Sequence, residues 1–287
     1  MEFKIFFLKE NTRIYSQTDL ITFLQANPNI TLEKENSYGR REFVYHHHIL
    51  NFEAKFIMAE KSVVPNLERL DPRFFDINFY VEFDVLLSNY AVEILLDIIE
   101  EISKRFRFYV HNQAIIEGVI PFRRAHMIKI FDAWKRAYAS KHPEAVANYK
   151  CLDPQAFSQV YGYLQKRKRL ELTITDSKIV VTNYLFLHSQ TSRSAYVAIK
   201  WDGSKQFILP PAVDILILDD GKINKWIPMQ AVLEKAEKMF RTIDGYGDIK
   251  LLDAKLIKKF HKILVKERFA PLNAQLSYLS LEKILDI

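Results

Sequence analysis

Three consecutive histidines, His46, His47 and His48, sit in the stretch VYHHHILNFEAKF. On an extended strand, side chains two apart share a face, so His46 and His48 point together, with Leu50, Phe52 and Phe56. Two imidazoles so placed can share a metal ion, but zinc needs a third and usually a fourth ligand. Neither cysteine nor an H-e-x-x-H motif lies nearby, and His111, His126, His142, His188 and His261 are scattered. The expectation is therefore no bound metal and no cofactor, with His46 and His48 the pair that would have to hold a metal if one were present.

The carboxylates Asp76, Glu82 and Asp84 alternate along RFFDINFYVEFDVL. Clustered acids on a sheet can bind the ions of two-metal phosphoryl transfer. They are equally the ordinary dress of a solvated face, paired across the sheet with cations such as Arg105 and Arg107. The chain lacks a G-x-S-x-G elbow, and its one cysteine, Cys151, lacks a neighbouring histidine signature. Its seven glycines are dispersed, so no glycine-rich loop can bring backbone against a nucleotide phosphate.

Cations offer a different chemistry. In KRFRFYVHN, read as a strand, Arg105, Arg107, Tyr109 and His111 share one face, the mixture with which open sheets stack and neutralise single-stranded RNA. In DAKLIKKFHKILVKERF, read as a helix over residues 253–269, Lys255, Lys259, Lys262 and Lys266 form one stripe with Lys258 beside it. Leu256, Ile257, Phe260, Ile263 and Leu264 form the opposite face. Such a stripe tracks a phosphate backbone or an acidic protein surface, or simply keeps a helix solvated. The run QKRKR at 165–169 reads as a charged helix end.

The elements that must carry these residues follow from periodicity. FKIFFLK is a buried strand, and SQTDLITFLQANP is a helix opened by Ser16 and stopped by Pro28. Two runs with period-two patterning follow, residues 42–60 and 73–86, expected to pair antiparallel. The even face of the second is expected to be wet. SNYAVEILLDIIEEISKRF is a helix capped by Ser88. The fold class is α+β. A ferredoxin-like antiparallel sheet with two helices occupies residues 1–115, and a helical linker spans 116–168. A second unit of antiparallel β-hairpins and C-terminal helices fills 169–287. Hairpins are expected around Asp176-Ser177, Asp202-Gly203 and Asp220-Gly221, the last two from their Asp-Gly turns.

The 287 residues are 49% hydrophobic and 13% aromatic, enough for a substantial core, and carry a net charge of +6. No apolar run approaches the roughly 18 residues that cross a bilayer, and no secretory signal is legible. These features point to a cytoplasmic, non-membrane protein whose work is binding rather than catalysis. The leading expectation is a protein-binding or regulatory role, of which neutralising a partner protein is one form. Nucleic-acid binding through the lysine stripe and the Arg105/Arg107 strand comes second, and a metal-dependent hydrolase third.

Overall fold

The computed structural model describes residues 1–115, 118–269 and 275–287, and the chain divides into two units, Met1–Val146 and Ala147–Ile287. The start of the expected 116–168 linker, residues 116 and 117, lies outside the described residues. The architecture is α+β with six α-helices and both parallel and antiparallel strand pairs among the described residues. No helix among them is long and apolar enough to cross a membrane.

The first unit runs β1 (Glu2–Glu10), α1 (Gln17–Gln25), β2 (Ile30–Glu35), β3 (Arg41–His47), β4 (Phe52–Met58), β5 (Phe74–Asp84), α2 (Asn89–Phe106), β6 (Tyr109–His111), β7 (Ile120–Pro121) and α3 (Arg124–Lys141). Its strands form one sheet in the order β2-β3-β4-β5-β1-β6-β7, every neighbour antiparallel. The expected pairing of residues 42–60 with 73–86 is present as β4 against β5. The first of those runs is not one strand. It folds back at His48–Asn51, where Asn51 takes a left-handed conformation (φ 51°) and donates its N–H to the His47 carbonyl at 2.8 Å. Asparagine tolerates that backbone better than most side chains, and the turn hides inside an uninterrupted apolar alternation.

Phe3, Ile5 and Phe7 of β1 are buried on the same face as Phe79 and Phe83 of β5, with Phe7 stacked on Phe79 at 4.8 Å. Phe131 of α3 meets Phe3 edge-on and Phe83 at a tilt. Lys135 of α3 is fully buried, and its Nζ donates to Asn89 Oδ1 at 2.8 Å, tying α3 to the start of α2. The even face is not wet as expected. Phe6, Leu8, Ile57 and Tyr80 are buried there with Val64, under a loop that adds Leu67 and Leu70. Between Phe7↔Phe79 and Leu8↔Asp76 the register jumps by two residues, with Asn78 at φ 56°. Because the insertion is two residues, parity is kept: Asp76 stays on the even face and is buried with it, while Phe75 stays on the odd face but is 59% exposed.

The second unit holds β8 (Lys150–Cys151), α4 (Pro154–Thr173), β9 (Ile179–Val180), β10 (Tyr184–Ser189), β11 (Ala195–Trp201), β12 (Gln206–Leu209), β13 (Ile215–Asp219), β14 (Asn224–Pro228), α5 (Met229–Ala236), β15 (Phe240–Thr242), β16 (Lys250–Leu252), α6 (Ile257–Lys266), β17 (Leu276–Leu279) and β18 (Ile284–Leu285). Three sheets result, ordered β14-β13-β11-β10-β17, β15-β16-β12-β9 and β18-β8. The expected series of antiparallel hairpins is corrected here, because β11 pairs with β13, β12 with β9 and β18 with β8 in parallel. Only Asp220-Gly221 of the three expected turns closes a hairpin, β13–β14. At Asp202-Gly203 the turn forms, with Gly203 at φ 79°, but its flanking strands enter different sheets. RLELT, read as a strand, continues α4; its residues are good helix formers, and Arg167 pairs with Glu171 one turn on.

Candidate functional site

The histidine run separates in the structure. His46 lies between two carboxylates, Nδ1 3.0 Å from Glu53 and Nε2 3.3 Å from Glu33, on neighbouring strands. His47 accepts the Leu50 N–H on Nδ1 and stacks on Phe52 at 5.0 Å. His48 is exposed in the turn, so it does not share a strand face with His46. Among the described residues no three His, Cys, Asp or Glu side chains are grouped to hold a metal, which argues against the hydrolase reading.

The acids of β5 also part company. Glu82 pairs with Lys4 at 3.0 Å, and Asp84 accepts the Leu86 N–H in a turn. Asp76 is buried. It accepts the Asn78 N–H on Oδ1 at 2.9 Å, while its Oδ2 has no hydrogen-bond partner among the described residues. Burial holds its carboxyl above the ordinary aspartate range, against the pull of the Ser62 hydroxyl and the Asn78 N–H. Arg105 and Arg107 pair with none of these acids.

The arginines themselves are not on a strand. The apolar stripe of α2 carries the helix through Arg105 to Phe106, and Arg107 ends it as a left-handed C-cap at φ 55°, ψ 45°. That conformation costs a non-glycine residue about 1–2 kcal/mol. The reversal turns the chain into the short β6, so the alternation read across KRFRFYVHN is broken at the cap. Arg105 lies over the rings of Phe23 and Phe106, 5.2 and 5.9 Å from their centroids. Tyr109 is withdrawn from any stacking role: its hydroxyl donates to Glu10 at 2.7 Å, its ring packs on Phe74, and that hydrogen bond raises its pKa.

Arg105 and Arg107 instead line a cleft of about 510 Å³ with Arg13, Tyr15 and Ser16, residues just before α1. Beneath it Phe108 joins Phe7, Tyr15 and Phe106 in an aromatic cluster, with centroids 6.1, 5.3 and 5.5 Å away. Burial, and then the charge of Asp76, raise the Tyr15 pKa, keeping its hydroxyl protonated. Arg13, Tyr15 and Ser16 were not legible as site residues. Ser16 announced only a helix start, which it performs by accepting the Asp19 N–H at 3.1 Å. Nothing local says that residue 13 meets residue 107.

In the second unit the lysine stripe forms as expected, on a shorter element. Lys255 stands in a 3₁₀ turn, and Lys258, Lys259, Lys262 and Lys266 stand on α6, which ends at Lys266 and not at residue 269. All five are exposed, and none has an ion-pair or hydrogen-bond partner for its side chain among the described residues. Lys200, Lys225, Lys235 and Lys250 of the same unit do find carboxylates or carbonyls. Phe260 and Leu264 anchor the buried side of α6, Phe260 against Trp201, Phe207 and Phe240. Lys259 also borders a groove of about 880 Å³, walled by Glu234, Glu237 and Lys238 and floored by Leu233 and Leu256. No family model matches this chain, and no significant match is found among curated proteins or solved structures.

Proposed function

We propose that this is a non-enzymatic binding protein whose α6 face receives an acidic segment of a partner protein. The observation that carries the reading is the row of five exposed lysines, without side-chain partners among the described residues, beside a groove of mixed charge. Cations left unpaired on a helix while their neighbours are paired create a field that steers an anionic partner. Glu234 on the groove wall can meet a basic residue of a protein segment, Lys238 and Lys259 its acidic ones, and Leu233 and Leu256 suit its apolar side chains, while Glu237 is taken up by Lys250 at 3.2 Å. That favours protein over nucleic acid. We further propose a cytoplasmic location and a ferredoxin-like fold for the first unit. The order β4-β5-β1-β6 with α1 and α2 supports the second of them.

The test is capture from nuclease-treated native lysate by the whole chain, alongside the K259E/K262E double reversal. The captured protein is expected to bind the wild type and lose at least about tenfold in affinity for the reversal. Fluorescence anisotropy with single- and double-stranded oligonucleotides supplies the opposing outcome. Submicromolar binding that the reversal abolishes, with a log–log salt slope near the roughly −3.6 of four phosphate contacts, would replace this reading with a nucleic-acid one.

A further inference from the structure

We propose that the cleft between the β1–α1 loop and the end of α2 is a binding site for a small phosphate monoester, its dianion held by Arg105 and Arg107. The two arginines come from a helix end, Arg13 and the hydroxyls of Tyr15 and Ser16 from a loop some ninety residues away, and all five line one open cavity. Like charges are gathered there, and of these only Arg13 is ion-paired among the described residues. Arg105 and Arg107 have no carboxylate partner among the described residues, whereas Arg40, Arg41, Arg73, Arg124 and Arg136 in the same unit each have one. Arg123 also has no ion-pair partner among the described residues but does not line the cleft. Asp19 is the carboxylate on the cleft wall, and Glu10 holds Arg13 Nε at 2.9 Å. With Arg13 paired to Glu10, the Arg105 and Arg107 guanidiniums against Asp19 leave the wall positive.

The geometry favours a defined anion over a general electrostatic surface. Arg105 stands 5.2 and 5.9 Å from the ring centroids of Phe23 and Phe106, within cation–π reach of both, which restrains where its guanidinium lies. Arg107 is set at the helix end by its backbone, as the C-cap whose N–H donates to the Ser103 carbonyl. A guanidinium's planar fork suits the paired oxygens of a phosphate. The Ser16 oxygen accepts the Asp19 N–H, which leaves its hydroxyl hydrogen free to donate to an anion. The cavity, about 510 Å³, is larger than a bare phosphate needs and falls within the range of small-molecule sites. Phe106 and the 99% exposed Ile14 give it apolar walls for the organic part of a monoester. The cations are confined to residues 13 and 105–107 and do not extend into a track, so a polymer backbone is the poorer fit.

The experiment titrates the full chain with inorganic phosphate, O-phosphoserine and adenosine monophosphate at constant ionic strength, read by calorimetry and by amide chemical shifts. Sodium chloride and adenosine serve as controls. Saturable binding of the phosphates is expected, with shifts at Tyr15, Ser16 and Arg105–Phe108 and none with adenosine. Affinity should rise across the second phosphate ionisation near pH 6. Arg107→Gly is the decisive variant, because glycine removes the charge while relieving the left-handed cap, so unfolding should be unchanged or harder. It should bind at least about tenfold more weakly. Arg105→Gln should weaken binding similarly. The proposal is overturned if no phosphate binds saturably by about 10 mM, or if Arg107→Gly binds as the wild type does. It is also overturned if a phosphoserine peptide or a 5′-phosphorylated oligonucleotide binds while none of the three small probes does.

Discussion

The two basic surfaces hold their charge in different ways. Arg105 and Arg107 sit at the end of an eighteen-residue helix, one within cation–π distance of aromatic rings and one at a positive φ, beside packed phenylalanines. The lysines of the α6 stripe stand exposed on one face with no side-chain partner among the described residues. A planar fork can discriminate one anion's shape. A row of point charges on four-carbon stems raises the local concentration of anything acidic and discriminates poorly. On the proposed readings, the net positive charge serves a pocket-like site in one unit and a steering field in the other.

The largest effects should come from removing the ground under each surface. Phe108→Ala takes away the ring that Phe7, Tyr15 and Phe106 share, and Phe260→Ala the ring that seats α6 on Trp201, Phe207 and Phe240. Each truncation of a buried phenylalanine should cost about 3–5 kcal/mol, read from denaturant midpoints. Binding should separate them. Phosphate affinity should collapse in Phe108→Ala, because the arginines lose their fixed placement. Partner affinity should stay within about threefold in Phe260→Ala wherever the protein remains folded, because a diffuse field survives small shifts of its charges. Equal losses in both would erase the distinction between site and field.

A middle-sized effect is expected where α6 meets a turn. A Cβ on Gly203 would stand 2.6 Å from His261 Cδ2, and His261 Nε2 is 2.9 Å from Asp220 in the next turn. Gly203→Ala therefore combines a strained φ of 79° with a forced shift of the His261 ring against its contact with Asp220, for about 2–4 kcal/mol in total. Gly221→Ala has a similar φ of 82° but open space around it, and should cost only about 1–2 kcal/mol. Thermal unfolding of the pair checks this, and equal losses would show that the His261 contact carries no weight.

Legibility in the sequence tracked how local the determining physics is. Period-two alternation identified β5 and its antiparallel pairing with β4, because a half-buried strand writes its face into its own residues. The Ser88 cap and the α6 stripe were readable for the same reason. The His48–Asn51 turn was not, since its Ile49 and Leu50 continue the apolar pattern of the strands it joins. The cover over the even face was invisible because it comes from Val64, Leu67 and Leu70 in a segment with no strand or α-helix periodicity. Parallel pairs such as β12–β9 depend on partners nearly thirty residues apart and leave no turn signature. The arginine cleft needed Arg13 and Arg107 in one place. The sequence offered the right cations at 105 and 107 on the wrong element, since Arg107 carries no hint that it would replace the usual glycine of a helix end.

The smallest effect separates the buried floor near the cleft from the solvated stripe. Asp76 is 5% exposed, and burial holds its carboxyl above the ordinary value of about 3.9. Between that ordinary value and the raised one, the unfolded chain has released the proton while the folded protein still keeps it. Folding then takes up a proton, so stability must fall as pH rises through this window and stay lowered above it. Asparagine cannot ionise, and its amide oxygen can still accept the Asn78 N–H that Oδ1 accepts at 2.9 Å. The second oxygen it replaces has no partner to lose among the described residues. Asp76→Asn should therefore match the wild type in acid and exceed it at neutral pH, in denaturant midpoints measured from about pH 3 to 7. K259E/K262E should instead run parallel to the wild type above the carboxylate range, because both residues are exposed and without partners among the described residues. A parallel Asp76→Asn profile would mean that the carboxyl is solvated in the folded protein, and that the floor near the cleft is as wet as the helix face it is contrasted with.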